Sequence, residues 1–179
     1  MKKVFAITTL LAIALALPAS ADHSWGGYHW ARSLNPFNLK LGDNLTSTAW
    51  KAHLSTASID WSKSKVLDTS IMAGQGGKSC KAIAGRVEVC NRTYGNNGWL
   101  GLAQIRISGS HITQGVVKLN DTYFNLAKYN NPNEKLHVMC QEIGHTLGLD
   151  HQSEDGSSQD TCMDYFSNTG TSADSTLST

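Results

Sequence analysis

The sequence carries almost no net charge. Lys and Arg together number 15 against 14 Asp and Glu, a formal charge of +1. Without the first 21 residues, which include Lys2 and Lys3, the chain has 13 basic and 14 acidic residues and a charge of −1. Proteins that bind nucleic acid or anionic membranes through charge need an excess of basic residues. We therefore expect neither nucleic acid nor a membrane surface as a partner.

Long hydrophobic runs are also missing, apart from one near the N-terminus. Two lysines precede the apolar run Val4–Leu17, and Ala19-Ser20-Ala21 follows it. The run is shorter than the roughly 20 residues of a membrane-spanning helix, and it ends in the small-residue pattern of a cleavage site. We predict that residues 1–21 are a signal peptide and that the protein is secreted, extracellular or periplasmic. The remainder, residues 22–179, has the length of one domain.

Cysteine is scarce, and none of the four cysteines is spaced as C-x-x-C. A structural zinc held by four thiolates needs such paired spacing, so we do not expect one. An oxidising compartment favours disulfides, and four cysteines allow three connectivities. We favour Cys80–Cys90, which closes a short loop, and Cys140–Cys162, which ties a predicted helix to the segment that holds Met163.

Hydrophobic periodicity predicts a first helix and a sheet. Trp50, Leu54, Ala57 and Trp61 recur at helical spacing within residues 45–64, with Thr46 or Ser47 as the N-cap. A short entry strand is expected before it, and later segments rich in Val and Ile predict further strands of one sheet. The entry strand is Asn38–Leu41. The later segments are Val66–Met72, Gly85–Cys90, Leu100–Ser108 and Gly115–Leu119.

A second helix is predicted from Asn131 to about Leu147. Asn131 is its N-cap, Pro132 occupies the first turn, where a missing N–H costs nothing, and Glu134 completes a capping box. Gly148 follows as a residue that can adopt the left-handed conformation and turn the chain sharply.

The second helix and the turn after it concentrate side chains that can hold a metal. Residues four apart lie on one face of a helix, so Gln141 and His145 point the same way. The turn at Gly148 allows His151 to return to the same point. Glu142 can take a proton from an attacking water and pass it to the leaving amine, while zinc lowers the pKa of that water towards about 7. The pattern therefore indicates peptide hydrolysis.

The run from Gln141 to His151 is similar to the metzincin signature H-E-x-x-H-x-x-G-x-x-H, and Cys162-Met163-Asp164-Tyr165 resembles the Met-turn of that family. Among metzincins the chain most resembles matrixin-like peptidases. The resemblance implies an α+β, zincin-like fold: a mixed twisted sheet with two long helices, in which a Met-turn loop follows the active-site helix. It also implies a secreted zinc-dependent metalloendopeptidase.

The roles of single residues follow from this resemblance. It implies that His145 and His151 are zinc ligands, Glu142 the general base, Gly148 the turn and Met163 the apolar floor beneath the metal. It also implies a protein or peptide substrate, bound in extended form along the strand Leu100–Ser108. We expect the protein to be a monomer.

The first ligand position departs from the signature, because Gln141 stands where the family has histidine. A glutamine oxygen is a weaker zinc ligand than imidazole, so we expect a lower affinity for zinc. His137 precedes His145 by eight residues, about 12 Å of helical rise, which is too far for both to bind one ion. The other candidates for a third donor are His23, His29, His53 and His111.

Two other interpretations stay open. A catalytically inactive relative with this fold would bind extended peptides without cutting them, which agrees with Gln141 but leaves Glu142 without a use. Alternatively, the helix is an ordinary amphipathic core helix whose Glu and His are solvated. A calcium site is left unassigned, because Glu154, Asp155 and Asp160 lack the spacing of an EF-hand loop. The Ser/Thr-rich tail, residues 167–179, is either flexible or a truncation of the helix that follows the Met-turn in matrixin-like domains.

Overall fold

The computed structural model describes residues 23–167 of the 179-residue chain. The predicted signal peptide and all of the predicted tail except Ser167 lie outside the described residues. The elements follow in the order β1 His29–Trp30, β2 Phe37–Asn44, α1 Thr48–Trp61, β3 Leu67–Ala73, β4 Arg86–Arg92, β5 Gly101–Ser108, β6 His111–Asn120, α2 Asp121–Phe124 and α3 Pro132–Thr146. Within residues 23–167, no helix has the length and apolar character needed to cross a membrane.

The six strands form one mixed sheet, as predicted. The order is β1-β6-β4-β2-β3, and β5 pairs with β6. All pairings are parallel except that of β5 with β6, which is antiparallel. Because β3 and β5 each pair with a single neighbour, both are outer strands whose second edge is free of sheet hydrogen bonds.

The first predicted helix is confirmed, but it is shorter than predicted at both ends. Ser47 is the N-cap, and its side chain accepts a hydrogen bond from the Trp50 amide at 3.3 Å. Before it, the amides of Leu45 and Thr46 donate to two side chains, one close in sequence and one in β4, and these contacts hold both residues outside the helix. The acceptors are Asp43 Oδ1 at 2.9 Å and Asn91 Oδ1 at 2.8 Å.

The second predicted helix, α3, begins as the sequence indicates. Asn131 accepts a hydrogen bond from the Asn133 amide at 2.9 Å, and Pro132 occupies the first turn. The Glu134 carboxylate accepts hydrogen bonds from Ser167 Oγ, which ties the start of the helix to the last described residue. The helix ends at Thr146, one residue earlier than predicted.

The main core lies between one face of the sheet and the two long helices. Trp50, Leu54, Ala57 and Trp61 of α1 are all buried there, as their helical spacing predicts. They pack with apolar residues of three strands and of α3, which are Leu39, Leu41, Val87, Val89, Val117, Leu119, Val138, Met139 and Ile143. This packing holds α3 against the sheet and fixes the position of every side chain that projects from its last two turns.

The opposite face of the sheet is covered by the loop between β3 and β4. The predicted disulfide Cys80–Cys90 joins this loop to β4. Within β4, Arg86 Nε lies 2.6 Å from Glu88 Oε1, and both side chains are buried. The second oxygen of Glu88 accepts hydrogen bonds from the amides of Gln75 and Gly76 at 2.9 Å, so this carboxylate holds the loop in place.

All five predicted strands are present, with bounds shifted by a few residues. Two short elements, β1 and α2, were not predicted. The two residues of β1 are too few to show a period in the sequence. The single turn of α2 is capped by Asn120, whose Oδ1 accepts a hydrogen bond from the Thr122 amide at 3.1 Å.

Candidate metal centre

The end of α3 and the loop after it bring two histidine rings together. His145 lies in the last turn of the helix, and His151 follows the loop. Their Nε2 atoms are 3.0 Å apart. His145 Nδ1 lies 2.9 Å from the Leu149 carbonyl oxygen, so this nitrogen carries the proton and donates it, and the unprotonated Nε2 faces the His151 ring.

The spacing of these two nitrogens suits a shared metal ion. Two imidazoles bonded to one tetrahedral zinc at roughly 2.0–2.1 Å place their nitrogens about 3.3 Å apart. Burial lowers the pKa of His145. Burial and the neighbouring His145 also lower the pKa of His151. Both shifts favour the neutral ring, which is the form that ligates a metal.

The turn that returns His151 to His145 depends on Gly148, as predicted. Gly148 has a φ of +93°, a conformation that side-chain-bearing residues rarely adopt. Its amide donates to the His145 carbonyl at 3.0 Å, and the next amide, of Leu149, donates to the Gly144 carbonyl at 3.3 Å. The Tyr28 carbonyl oxygen occupies the space where a Cβ would stand. Glycine is therefore needed here for both conformation and space.

Gln141 lies one turn before His145 and is buried. Its Nε2 donates to the Asp164 carbonyl oxygen at 2.8 Å and lies 3.4 Å from His137 Nε2. Because the amide nitrogen is used in this way, Oε1 is the atom of Gln141 that remains as a metal donor. The residue joins α3 to the segment after Cys162.

The five histidines considered as substitute ligands do not complete the site. Across residues 23–167, no three His, Cys, Asp or Glu side chains are grouped so that they could hold a metal. His53 packs edge-to-face against Trp50, and the rings of His29 and His111 pack edge-to-face against each other. His23 approaches the backbone oxygen of His151 and not its ring. His137 lies against Gln141, one turn farther from His145.

The acidic loop considered for calcium likewise forms no metal group among the described residues. Asp155 Oδ1 accepts hydrogen bonds from the amide and the hydroxyl of Ser157, at 2.9 and 2.7 Å. That local turn accounts for the orientation of the carboxylate.

Glu142 lines a cavity of about 270 Å³ together with His145 and His151. The side chain is 7 % exposed, and burial raises its pKa to about 8, while a hydrogen bond from the Ala103 amide acts in the opposite direction. A Cβ on Gly101 would lie 2.5 Å from Glu142 Oε1. The strand β5 therefore approaches α3 closely at a glycine and holds the carboxylate at the edge of the cavity.

The segment after Cys162 packs under the end of α3. The predicted disulfide Cys140–Cys162 is formed and joins it to the helix. Met163 is buried, and its sulfur lies where a Cβ on Gly144 would stand. The Met163 carbonyl accepts a hydrogen bond from the Gln152 amide at 2.8 Å, which ties the segment to the residue after His151.

Several residues of the site were not predicted from the sequence. Gly101 and Ala103 of β5 contact Glu142, and Trp25 lines the cavity with its ring centroid 6.4 Å from that of His145. Asp150 Oδ1 accepts a hydrogen bond from the His151 amide at 2.8 Å. A glycine at the start of a strand is a signal for close backbone approach and could have indicated Gly101.

Comparisons with known proteins do not assign the chain to a family. No protein-family model matches the chain, and no curated protein matches it. Among solved structures, the chain is similar to one titled "Structure of myroilysin", with 12 % identity, a TM-score of 0.44, and coverage of 72 % of this chain and 54 % of that one. The chain thus spans about half the length of that structure. At this TM-score the similarity does not indicate an activity for the chain.

Proposed function

We propose that the protein is a secreted, zinc-dependent endopeptidase of the metzincin type, matrixin-like, with a zincin-like fold. The observation that carries this proposal is the pair of histidine Nε2 atoms 3.0 Å apart, placed in one cavity with the Glu142 carboxylate. Catalytic zinc sites use three protein ligands together with a general base, and this cavity supplies two histidine ligands and a carboxylate that can act as the base.

His145 and His151 are the zinc ligands in this proposal, and Gln141 Oε1 is the third and weakest. A bound zinc would polarise the scissile carbonyl and acidify an attacking water. Glu142 takes the proton from that water and delivers it to the leaving amine. The Ala103 amide holds the carboxylate in position for both transfers. Met163 and the Cys140–Cys162 disulfide support the helix from beneath.

The substrate in this proposal is a protein or peptide in extended form, bound along the free edge of β5. The Leu100 carbonyl accepts a hydrogen bond from the Asn120 amide, so it faces β6. By the alternation of a strand, the backbone groups of Gly101, Ala103 and Ile105 face outward. The Ala103 amide is bound to Glu142, and the remaining outward groups can pair with a peptide by β-addition.

The experiment is peptide cleavage by the purified, disulfide-intact protein, assayed with and without a zinc chelator. We expect cleavage that the chelator stops and that Glu142→Gln reduces by at least a thousandfold. Glu134→Gln, which changes a carboxylate two turns earlier on the same helix, is the matched control and retains the parent rate. Cleavage by Glu142→Gln at the parent rate would refute the proposed enzyme.

A second candidate is a catalytically inactive protein that binds extended peptides. The observation that favours it is the hydrogen bond from Gln141 Nε2 to the Asp164 carbonyl, which satisfies the amide without a metal. This candidate predicts that parent and Glu142→Gln bind the same peptides equally with or without zinc, and that neither cuts them.

The proposal also includes a location outside the cytoplasm. Both disulfides are formed, which agrees with an oxidising compartment outside the cytoplasm. Export through residues 1–21 and a monomeric state remain parts of the proposal.

A further inference from the structure

The segment His23–Trp25, here called the N-terminal strap, pairs with the loop that joins the two histidines. The Trp25 amide donates to the Gly148 carbonyl at 2.8 Å, and the Asp150 amide donates to the His23 carbonyl at 2.9 Å. Ser24 lies opposite Leu149 in an antiparallel bridge. The strap is therefore a short added strand on the loop that positions His151.

Two further contacts continue this attachment. His23 Nδ1 lies 3.1 Å from the His151 carbonyl oxygen, and Trp30 Nε1 donates to the Thr146 carbonyl at 2.9 Å. Tyr28 contributes the carbonyl oxygen that fills the space above Gly148. The N-terminal residues thus bind the last turn of α3 and both ends of the loop after it.

The strap also delivers a large side chain to the cavity. The Trp25 indole lies edge-on to the His145 ring and lines the cavity opened by Glu142 and the two histidines. Leu102 and Ala103 of β5, the strand proposed to bind the peptide, line the same cavity. Trp25 is 37 % exposed and lines the cavity, so part of the residue is accessible to a ligand there.

We propose that Trp25 is a specificity-determining residue, whose indole forms the apolar wall against which one apolar side chain of the peptide packs. The inference rests on the proposed function for the identity of the ligand. The backbone pairing of the strap has a separate role, because it holds both the indole and the His151 loop in place. A glycine or a charged side chain at the same peptide position does not pack favourably against the indole, so it does not strengthen binding.

Two substitutions at one position separate the two roles. Trp25→Ala removes the indole but retains the amide that binds the Gly148 carbonyl. Trp25→Pro removes the indole and the amide together, while the extended conformation that proline favours in the preceding residue suits Ser24 in its bridge. Leu34→Ala, at an exposed apolar residue outside the strap, is the control for loss of apolar surface.

The first measurement is peptide binding, followed by fluorescence anisotropy, in a Glu142→Gln background so that no peptide is cut. A peptide set places Leu or Gly at each position in turn. We expect one position at which Leu binds about tenfold more tightly than Gly, and we expect Trp25→Ala to abolish that preference while Leu34→Ala keeps it. A preference that survives Trp25→Ala, or no peptide binding at all, would overturn the specificity role.

The second measurement is amide hydrogen exchange, which needs neither metal nor peptide. Exchange of the Asp150 amide should quicken at least tenfold in Trp25→Pro and stay within threefold of the parent in Trp25→Ala. The Gly74 amide, bound to the Asp43 carbonyl at 3.0 Å next to β3, an outer strand at the other end of the sheet from β5, should be unchanged in both. Equal exchange at Asp150 in both variants would refute the pairing role. A parent that binds peptides with the Leu preference but never cuts them contradicts the proposed enzyme and leaves the inference about Trp25 supported.

Discussion

Gly101 leaves open the space into which the Glu142 carboxylate projects. A Cβ at this position would lie 2.5 Å from Glu142 Oε1 and 2.6 Å from both Glu142 Cγ and Val138 Cγ1. The first residue of β5 therefore controls how closely the edge strand approaches α3. The carboxylate keeps its place only if this strand residue has no side chain.

Gly101→Ala should lower the free energy of unfolding by about 1–3 kcal/mol, the usual cost of overpacking. The cost should be smaller in a Glu142→Ala background, because two of the three clashing atoms are then gone. Urea unfolding of the four proteins in this double-mutant cycle measures the difference. An equal cost in both backgrounds would mean that the clash is with Val138 alone.

Gly148→Ala should destabilise the protein more than Gly156→Ala does. Both glycines have φ near +90°, but only Gly148 has an atom, the Tyr28 carbonyl oxygen, in the space of a Cβ. The conformational penalty of roughly 1–2 kcal/mol applies to each, and overpacking adds about 1–3 kcal/mol at Gly148 alone. Urea unfolding provides the comparison. Equal losses would show that the N-terminal segment moves away without cost.

Removal of the two disulfides should have similar effects on stability and different effects on metal binding. The bridged residues are 10 and 22 positions apart, so loop closure gives each bridge about 3 kcal/mol. Only Cys140–Cys162 flanks Gln141 and the segment that accepts its hydrogen bond. Paired Cys→Ser substitution should therefore weaken zinc binding at least tenfold for Cys140–Cys162 and less than threefold for Cys80–Cys90, as measured by competition with a chelating dye. The reverse order would place the metal elsewhere.

Acid should destabilise the protein partly through His53. Burial, and secondarily the charge of Lys135, lower the pKa of this histidine in the folded state. Below about pH 6.5 the unfolded chain therefore binds a proton that the folded protein resists, and the free energy of unfolding falls as the pH falls. His53→Gln should reduce the slope between pH 7 and 5, and Lys135→Gln should reduce it partly. Identical slopes in parent and His53→Gln would contradict this assignment.

Much of the fold was predictable because its signals are local. Segments rich in Val and Ile marked β3, β4, β5 and β6, an entry strand was expected at Asn38–Leu41, where β2 lies, and the caps Ser47 and Asn131 marked both long helices. The predicted start of α1 was too early for a non-local reason. Asn91, far along the chain, accepts a hydrogen bond from the Thr46 amide. Periodicity contains no information about such a side chain.

The site was predictable only where its residues share one stretch of sequence. The spacing of Glu142, His145 and His151 predicted that these side chains meet, and they do. The contact of Gly101 comes from the packing of β5 against α3, and that of Trp25 from the pairing of the N-terminal strap; both cross more than 40 residues, so no local pattern predicts them. The hydrogen bond from Gln141 to the Asp164 backbone is likewise a tertiary contact.

Zinc content after dialysis, measured on the disulfide-intact protein and on Gln141→His, tests whether His145 and His151 form a metal site. A third imidazole should bind more tightly than the amide oxygen, by at least tenfold, with His145 and His151 unchanged. We expect about one zinc per chain in Gln141→His, a smaller or more easily removed amount in the parent, and none when His145→Ala is introduced into either protein. Absence of zinc from Gln141→His would contradict the claim that His145 and His151 form a metal site.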